Sequence, residues 1–227
     1  MPKAVILLSG GLDSSTVLYQ ARQDGYSCYA LSFNYQQRHQ RELVAAQAIA
    51  MAARAVEHQV MSFDLQRWGG SALTDGSIDL PTHRNLDQMA AEIPVTYVPA
   101  RNTIFLSFAL AYAETIAADR VYIGVNALDY SGYPDCRPDY IQAMQTVFTL
   151  GTKQGREGQP ITIEAPLIQL RKTEIIQLGN QLGVPWADTW SCYSGEEQAC
   201  GVCDSCQLRL AAFAELELSD PLPYAPR

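Results

Sequence analysis

Apolar residues along the chain follow two rhythms, short unbroken runs and longer stretches at helical spacing. Ala4-Val5-Ile6-Leu7-Leu8 carries no charge and reads as a strand covered on both faces. Val17, Leu18 and Ala21 then recur at helical spacing. Tyr29 to Phe33 reads as a second strand, and Leu43, Ala46, Ala50 and Ala53 mark a long helix. Glu57 to Met61 alternates weakly as a third strand. Thr103 to Ala117, rich in Ala, Leu and Phe, predicts a helix buried on most sides. Arg120 to Gly124 is a fourth strand, Pro138 to about Leu150 a helix with proline in its first turn, and Ile161 to Pro166 a last strand. Lys172 to Leu182 is a helix stopped by Gly183 and Pro185, and a final helix runs from about Asp204 to Leu216. This alternation of strand and helix predicts an α/β fold with a mostly parallel, doubly wound sheet.

Between these segments lie the stretches that carry chemistry. In such sheets ligands bind beyond the carboxyl ends of the strands. Ser9-Gly10-Gly11-Leu12-Asp13-Ser14-Ser15 sits at one such end, and Asn34 to His39 at another, so both should face one pocket. Gly10 and Gly11 permit positive φ, and Asp13, Ser14 or Ser15 can cap the helix that follows. Amide groups of the turn and the helix dipole then favour an anion such as a phosphate. No Lys follows the glycines, which excludes the Walker pattern, and G-x-G-x-x-G is absent. Residues 63–93 break all periodicity at Gly69-Gly70-Ser71, Asp75-Gly76-Ser77 and Pro81, and read as an insertion that covers the pocket or lies on the surface. On this reading residues 1–187 form the nucleotide-binding α/β domain, and residues 188–227 a small helical and loop segment packed on it.

Charge and cysteine content narrow the class. The net charge of −8 over 227 residues, with no basic run, disfavours nucleic acid and favours small-molecule substrates. No signal peptide and no apolar run of spanning length is visible, which points to the cytoplasm. Cys192, Cys200, Cys203 and Cys206 are spaced C-x7-C-x2-C-x2-C. Four thiolates can close a tetrahedron around Zn²⁺ with bonds of about 2.3 Å and leave no open position, so the ion would be structural. An iron–sulfur cluster or a disulfide pair is the alternative. Cys28 reads as a small buried residue.

Several polar residues are candidates for the reaction itself. A dense polar stretch, Asn126, Asp129 to Asp135, Cys136 and Arg137, follows the fourth strand. Cys136 is either a nucleophile whose pKa a nearby cation lowers, or a pocket-wall residue. Asp135 can hold Mg²⁺, bind an amine edge, act as a base, or merely cap a helix. Lys172 would stabilise a leaving pyrophosphate, or be a solvated surface lysine. Arg101 and Asn102 stand at a helix start where they can meet a ligand. His39 is a phosphate donor or a helix cap, His58 and His83 are structural or exposed, and Trp190 is the better candidate for stacking on a flat heterocycle.

The motif Ser9 to Ser15 resembles the PP-loop, S-G-G-x-D-S, of the ATP pyrophosphatase superfamily, whose members split ATP between the α and β phosphates. A closer resemblance runs along nearly the whole chain. YQQRHQREL (35–43), VPARNTIF (98–105), SGYPDCRP (131–138), KTEI (172–175), TWSCY (189–193) and CGVCDSCQLR (200–209) are similar to the 7-cyano-7-deazaguanine synthases of queuosine precursor synthesis. Gln36 departs from the pattern, standing where the family usually has Gly, a residue at ease with positive φ. The resemblance implies an ATP-dependent ligase acting on 7-carboxy-7-deazaguanine and free ammonia, with Mg²⁺ and a structural zinc, in a chain that is often dimeric. It implies ATP contacts from Leu8, Ser9, Gly10, Gly11, Leu12, Asp13, Ser14, Ser15, Thr16, Val17 and Leu18. Arg38, Arg101 and Asn102 would lie near phosphates or substrate, Asp135 and Arg137 would face the deazaguanine or its carboxylate, and Lys172 would neutralise pyrophosphate. Two other classes remain open at this point, a PP-loop tRNA sulfur transferase using Cys136 and a nucleotide-binding regulatory module.

Overall fold

Five parallel strands form the centre of the computed structural model, which describes residues 1–38, 40–84, 88–89, 92–128 and 132–226. They are β1 (Lys3–Leu7), β2 (Ser27–Asn34), β3 (Glu57–Ser62), β4 (Arg120–Tyr122) and β5 (Thr162–Glu164), in the order β3-β2-β1-β4-β5. Helices α1 (Leu12–Gln23), α2 (Arg41–Ala52), α3 (Arg101–Thr115), α4 (Pro138–Gly151), α5 (Lys153–Arg156), α6 (Lys172–Leu182) and α7 (Asp204–Glu215) connect and cover them. β1 is central, with Val5 opposite Tyr29 of β2 and Val121 of β4. That position explains its chargeless run. Ala4 and Ile6 pack into a core formed with α1, α2, α6 and α7, whereas Val5 and Leu7 pack into a second core with α3 and α4.

The chain leaves β1 towards β2 and β3 but leaves β4 towards β5. Connections therefore diverge between β1 and β4, and a crevice opens beyond their carboxyl ends. No described helix is long and apolar enough to cross a membrane.

One expectation needs correcting. α3 begins at Arg101 rather than Thr103, because the buried Asp135 carboxylate accepts the Asn102 amide proton at 3.0 Å and extends the first turn backwards. The insertion is anchored on the rest of the fold. Leu65, Ala72 and Leu73 are buried, and Leu73 O accepts the Arg38 amide at 2.9 Å. Farther along, Thr82 bridges to Cys203, the His83 amide donates to Val202 O at 2.9 Å, and Arg84 pairs with Asp204. α6, by contrast, spans the residues its apolar spacing predicts and ends at Gly183, whose φ is +75°.

Candidate active site

The crevice holds a cavity of about 310 Å³ lined from both halves of the sheet. Its floor is the loop between β1 and α1. Gly10 takes φ +80°, and an added Cβ would stand 2.4 Å from the Ala46 amide nitrogen, so only glycine lets the loop lie against α2. Gly11 has φ −78° and fills the N-cap position of α1, so positive φ is needed at Gly10 alone. None of Asp13, Ser14 or Ser15 caps the helix. Ser14 Oγ instead accepts the Ser9 amide at 3.1 Å and lies 3.0 Å from Ser9 Oγ, bracing the loop across its mouth. Leu12, Asp13 and Ser14 line the cavity, and the amides of a helix's first turn lack intrahelical acceptors. The floor is thereby suited to an anion.

Sequence-predicted residues fall in several different places. Leu8, Ser9, Gly11, Leu12, Asp13, Ser14, Arg38, Arg101, Asn102 and Lys172 share this cavity. Lys172 Nζ reaches both Asp13 carboxylate oxygens at 2.9 Å, joining residues 159 positions apart. Arg101 donates to Tyr35 Oη at 3.4 Å. Gly10 lies behind the cavity wall, as do Ser15, Thr16, Val17 and Leu18: these last four are wholly buried, and Thr16 Oγ1 donates to Leu12 O at 2.9 Å. The turn of α1 that follows Ser14 points into the core. Asp135 is buried one layer out, holding Asn102 by both backbone and side chain. Arg137 turns away, 69% exposed, with Asp139 at 3.8 Å. His39, Asp129, Tyr130 and Ser131 lie outside the described residues.

Cys136 lines the cavity beside Asn102 Nδ2, 3.4 Å from its sulfur. The cation expected to lower its pKa is absent from its surroundings in the case of Arg137. Burial, and then the Asp135 charge, push the thiol up to about 12. Its raised pKa and its place in the cavity wall favour the pocket-wall reading over the nucleophile, although the Arg101 charge pulls the other way. Trp190 is buried in the wall; its amide donates to Gly10 O at 2.8 Å and the Arg41 guanidinium lies 4.5 Å from its ring. His58 is held by Ser32 at 2.7 Å. Gln36 retains the conformation its identity argues against, with φ +61°.

Two residues escaped the sequence reading. Glu42, in the first turn of α2, lines the cavity, and burial pushes its carboxyl up to about 7 against the opposing pull of Arg101. Arg209 is 2% exposed and grips Asp220 at 2.7 and 2.9 Å, Thr189 Oγ1 at 2.7 Å and Trp186 O at 3.1 Å, tying the C-terminal tail to the loop that carries Trp190. Glu42 had one available signal, its place a single turn into a helix that opens at a strand end.

The four C-terminal cysteines form a second centre against Ala45 and Trp190. Their sulfurs lie within 4.8 Å of one another and none is in a disulfide. The Cys200 and Ser194 amides donate to Cys192 Sγ at 3.3 and 3.4 Å, and the Cys203 amide to Cys200 Sγ at 3.4 Å. Such donors suit thiolates, and a four-sulfur set of this size fits a tetrahedral metal ion. The loop also supplies Ser191 and Tyr193 to the cavity wall.

The sequence model described as queuosine biosynthesis protein QueC matches residues 3–217. The chain belongs to the QueC family. It is 78% identical to a 7-cyano-7-deazaguanine synthase of Nostoc sp., over 98% of this chain and 97% of that one. It is 55% identical to a protein of the same name from Coxiella burnetii, over 99% and 98%. The fold is like that of NMN synthetase from Francisella tularensis, with a TM-score of 0.51 and 16% identity over 96% of this chain and 78% of that one. QueC membership and the parallel sheet together place the chain among PP-loop α/β proteins.

Proposed function

We propose that this chain is an ATP-dependent 7-cyano-7-deazaguanine synthase. The observation that carries the reading is the match to synthases along the whole chain, at up to 78% identity. The cavity supports it, since a floor suited to an anion meets a space walled by Phe105, Tyr133 and Trp190 in one crevice. In the reaction, a carboxylate oxygen of 7-carboxy-7-deazaguanine attacks the α-phosphorus of ATP and pyrophosphate leaves. Ammonia displaces AMP to give the amide and a proton. The amide oxygen attacks a second ATP, again releasing pyrophosphate, and loss of AMP and two protons leaves the nitrile. Amide oxygen is a poor leaving group, and adenylation converts it to a good one.

Leu12, Asp13 and Ser14 would hold phosphate through first-turn amides. Lys172, paired with Asp13 before ATP binds, would turn to the departing pyrophosphate and balance its charge. Arg101 and Arg38 would orient the anionic groups, and Asp135 would act through Asn102 as a positioning residue. Mg²⁺ would accompany ATP. Cys192, Cys200, Cys203 and Cys206 would hold a structural Zn²⁺, which supplies rigidity to the cavity wall and no open coordination site. A cytoplasmic homodimer is the proposed form, checked by sedimentation. Division at residue 187 into an ATP-binding domain and a metal-binding segment packed on it completes the reading; the cysteines have a small core closed by Ala45 of α2, and α7 packs into the first core.

The deciding assay is mass spectrometry of a mixture of the protein, 7-carboxy-7-deazaguanine, ammonium and MgATP. A nitrile formed with two AMP per product is expected. Intact substrate and intact ATP would overturn the proposal. Elemental analysis should find one zinc per chain, lost in a Cys206→Ser variant.

A further inference from the structure

Taking the synthase reading as its basis, we infer that Glu42 is the specificity-determining acceptor for the N–H edge of the deazaguanine ring. The ring is flat. One edge carries two adjacent donors, the ring N–H and the 2-amino group, and the other side carries the reacting carboxylate. A ligand of this kind needs an acceptor-only group at one end and a cationic fork at the other. The cavity offers both. Asp13 is engaged by Lys172 at 2.9 Å through each oxygen. Glu42 lines the same cavity, and no hydrogen bond or ion pair to its carboxylate occurs among the described residues. Arg101 also lines the cavity and lies close enough for its charge to act on Glu42, yet the two form no ion pair. A carboxylate and a guanidinium held in one cavity without closing on each other leave room for a molecule that carries the complementary groups.

ATP is the wrong occupant for this carboxylate. Its phosphates would repel Glu42, and the adenine edge presents one amine beside an acceptor nitrogen, so one carboxylate oxygen would face a lone pair. A first-turn carboxylate is also favoured by the helix dipole, but that benefit is available to an exposed side chain and does not account for half-burying one in a cavity. Burial raises its cost in the empty site. Two donors from the substrate would offset that cost, so the energy gained depends on the substrate having both.

The test compares 7-carboxy-7-deazaguanine with the analogue lacking the 2-amino group, on wild type and on Glu42→Gln, which keeps size and removes charge. Wild type should prefer the natural substrate by roughly 10- to 100-fold in kcat/KM, the range for a hydrogen bond to a charged group. In Glu42→Gln that preference should fall towards unity through a rise in KM for the natural substrate, with the ATP and Mg²⁺ dependence unchanged. A Glu42→Gln enzyme that keeps the wild-type preference would overturn the inference. So would a defect that extra Mg²⁺ repairs, which would make Glu42 a ligand of the nucleotide's metal. A wild-type preference near unity overturns it without any variant. Failure of the underlying synthase reading looks different, because wild type would then make no nitrile from either compound.

Discussion

The loop between β1 and α1 contains two glycines whose replacement by alanine should have very unequal consequences. At Gly10 the new Cβ would lie 2.4 Å from Ala46 N, 2.6 Å from Glu42 O and 2.9 Å from Ala45 C. All three are backbone atoms of one helix, so no side chain can swing aside and α2 must move as a body. The left-handed conformation, φ +80°, adds about 1–2 kcal/mol for a residue with a Cβ. Overpacking against α2 adds about 1–3 kcal/mol more. Gly10→Ala should therefore destabilise the fold by about 2–5 kcal/mol. At Gly11 the nearest atoms to a new Cβ are Ser9 Oγ at 3.3 Å and Trp190 O at 3.5 Å, and φ is already negative. Gly11→Ala should change stability by no more than about 1 kcal/mol, the small difference between a weaker N-cap and a stiffer unfolded chain. Urea unfolding followed by far-ultraviolet circular dichroism reads both values. A Gly10→Ala protein within 1 kcal/mol of wild type, or a Gly11→Ala protein as damaged as Gly10→Ala, would refute the account of how the loop lies against α2.

Other outcomes follow from the same geometry. Lys172→Met should lower kcat by about 100-fold or more while leaving the melting profile nearly intact, because its partner Asp13 is partly exposed; wild-type turnover would remove Lys172 from the reaction. Cys136→Ala should keep most activity and abolish no covalent intermediate, whereas loss of all turnover would restore the nucleophile reading. The same variant has a pH signature. The folded thiol titrates at about 12 against an ordinary value of 9.0, so between those values the unfolded chain releases a proton that the folded one keeps. Wild-type stability should decline with rising pH across that window, and Cys136→Ala should flatten the decline in paired urea titrations. Gln36→Gly should stabilise the protein by up to about 1 kcal/mol, since left-handed strain is relieved but the unfolded chain gains freedom; a destabilised variant would show that the Gln36 side chain has its own favourable contacts.

Local patterns made most of the framework legible. The chargeless run before Ser9 reads as a strand covered on both faces, and β1 is one, while α6 is bounded correctly because apolar spacing and Gly183 act within a few residues of each other. What stayed hidden depends on contacts between distant parts of the chain. Asp135 sets the start of a helix 34 residues upstream, and no local signal at Thr103 reveals that the helix begins earlier. The Lys172–Asp13 pair spans the chain from α6 to α1. The insertion lacks periodicity, yet Ala72 and Leu73 are buried, because irregular backbone can be held by single hydrogen bonds to its surroundings. Glu42 looked like any charged residue on an amphipathic helix, since helical spacing alone does not say which polar face meets a cavity.

The four-cysteine loop touches more than its own cysteines. Through Thr82, His83 and Arg84 it anchors the far end of the insertion, while Ser191 and Tyr193 carry it into the cavity wall. On the proposed reading that these cysteines hold a structural ion, metal starvation should act on this protein through shape before it acts on chemistry. A chain made without the ion would leave the segment around residues 82–84 unanchored, and that segment is where proteases of the cell should make their first cut. Shortage of the metal would then appear as falling abundance of the chain, while the molecules that did obtain their ion would turn over at the normal rate.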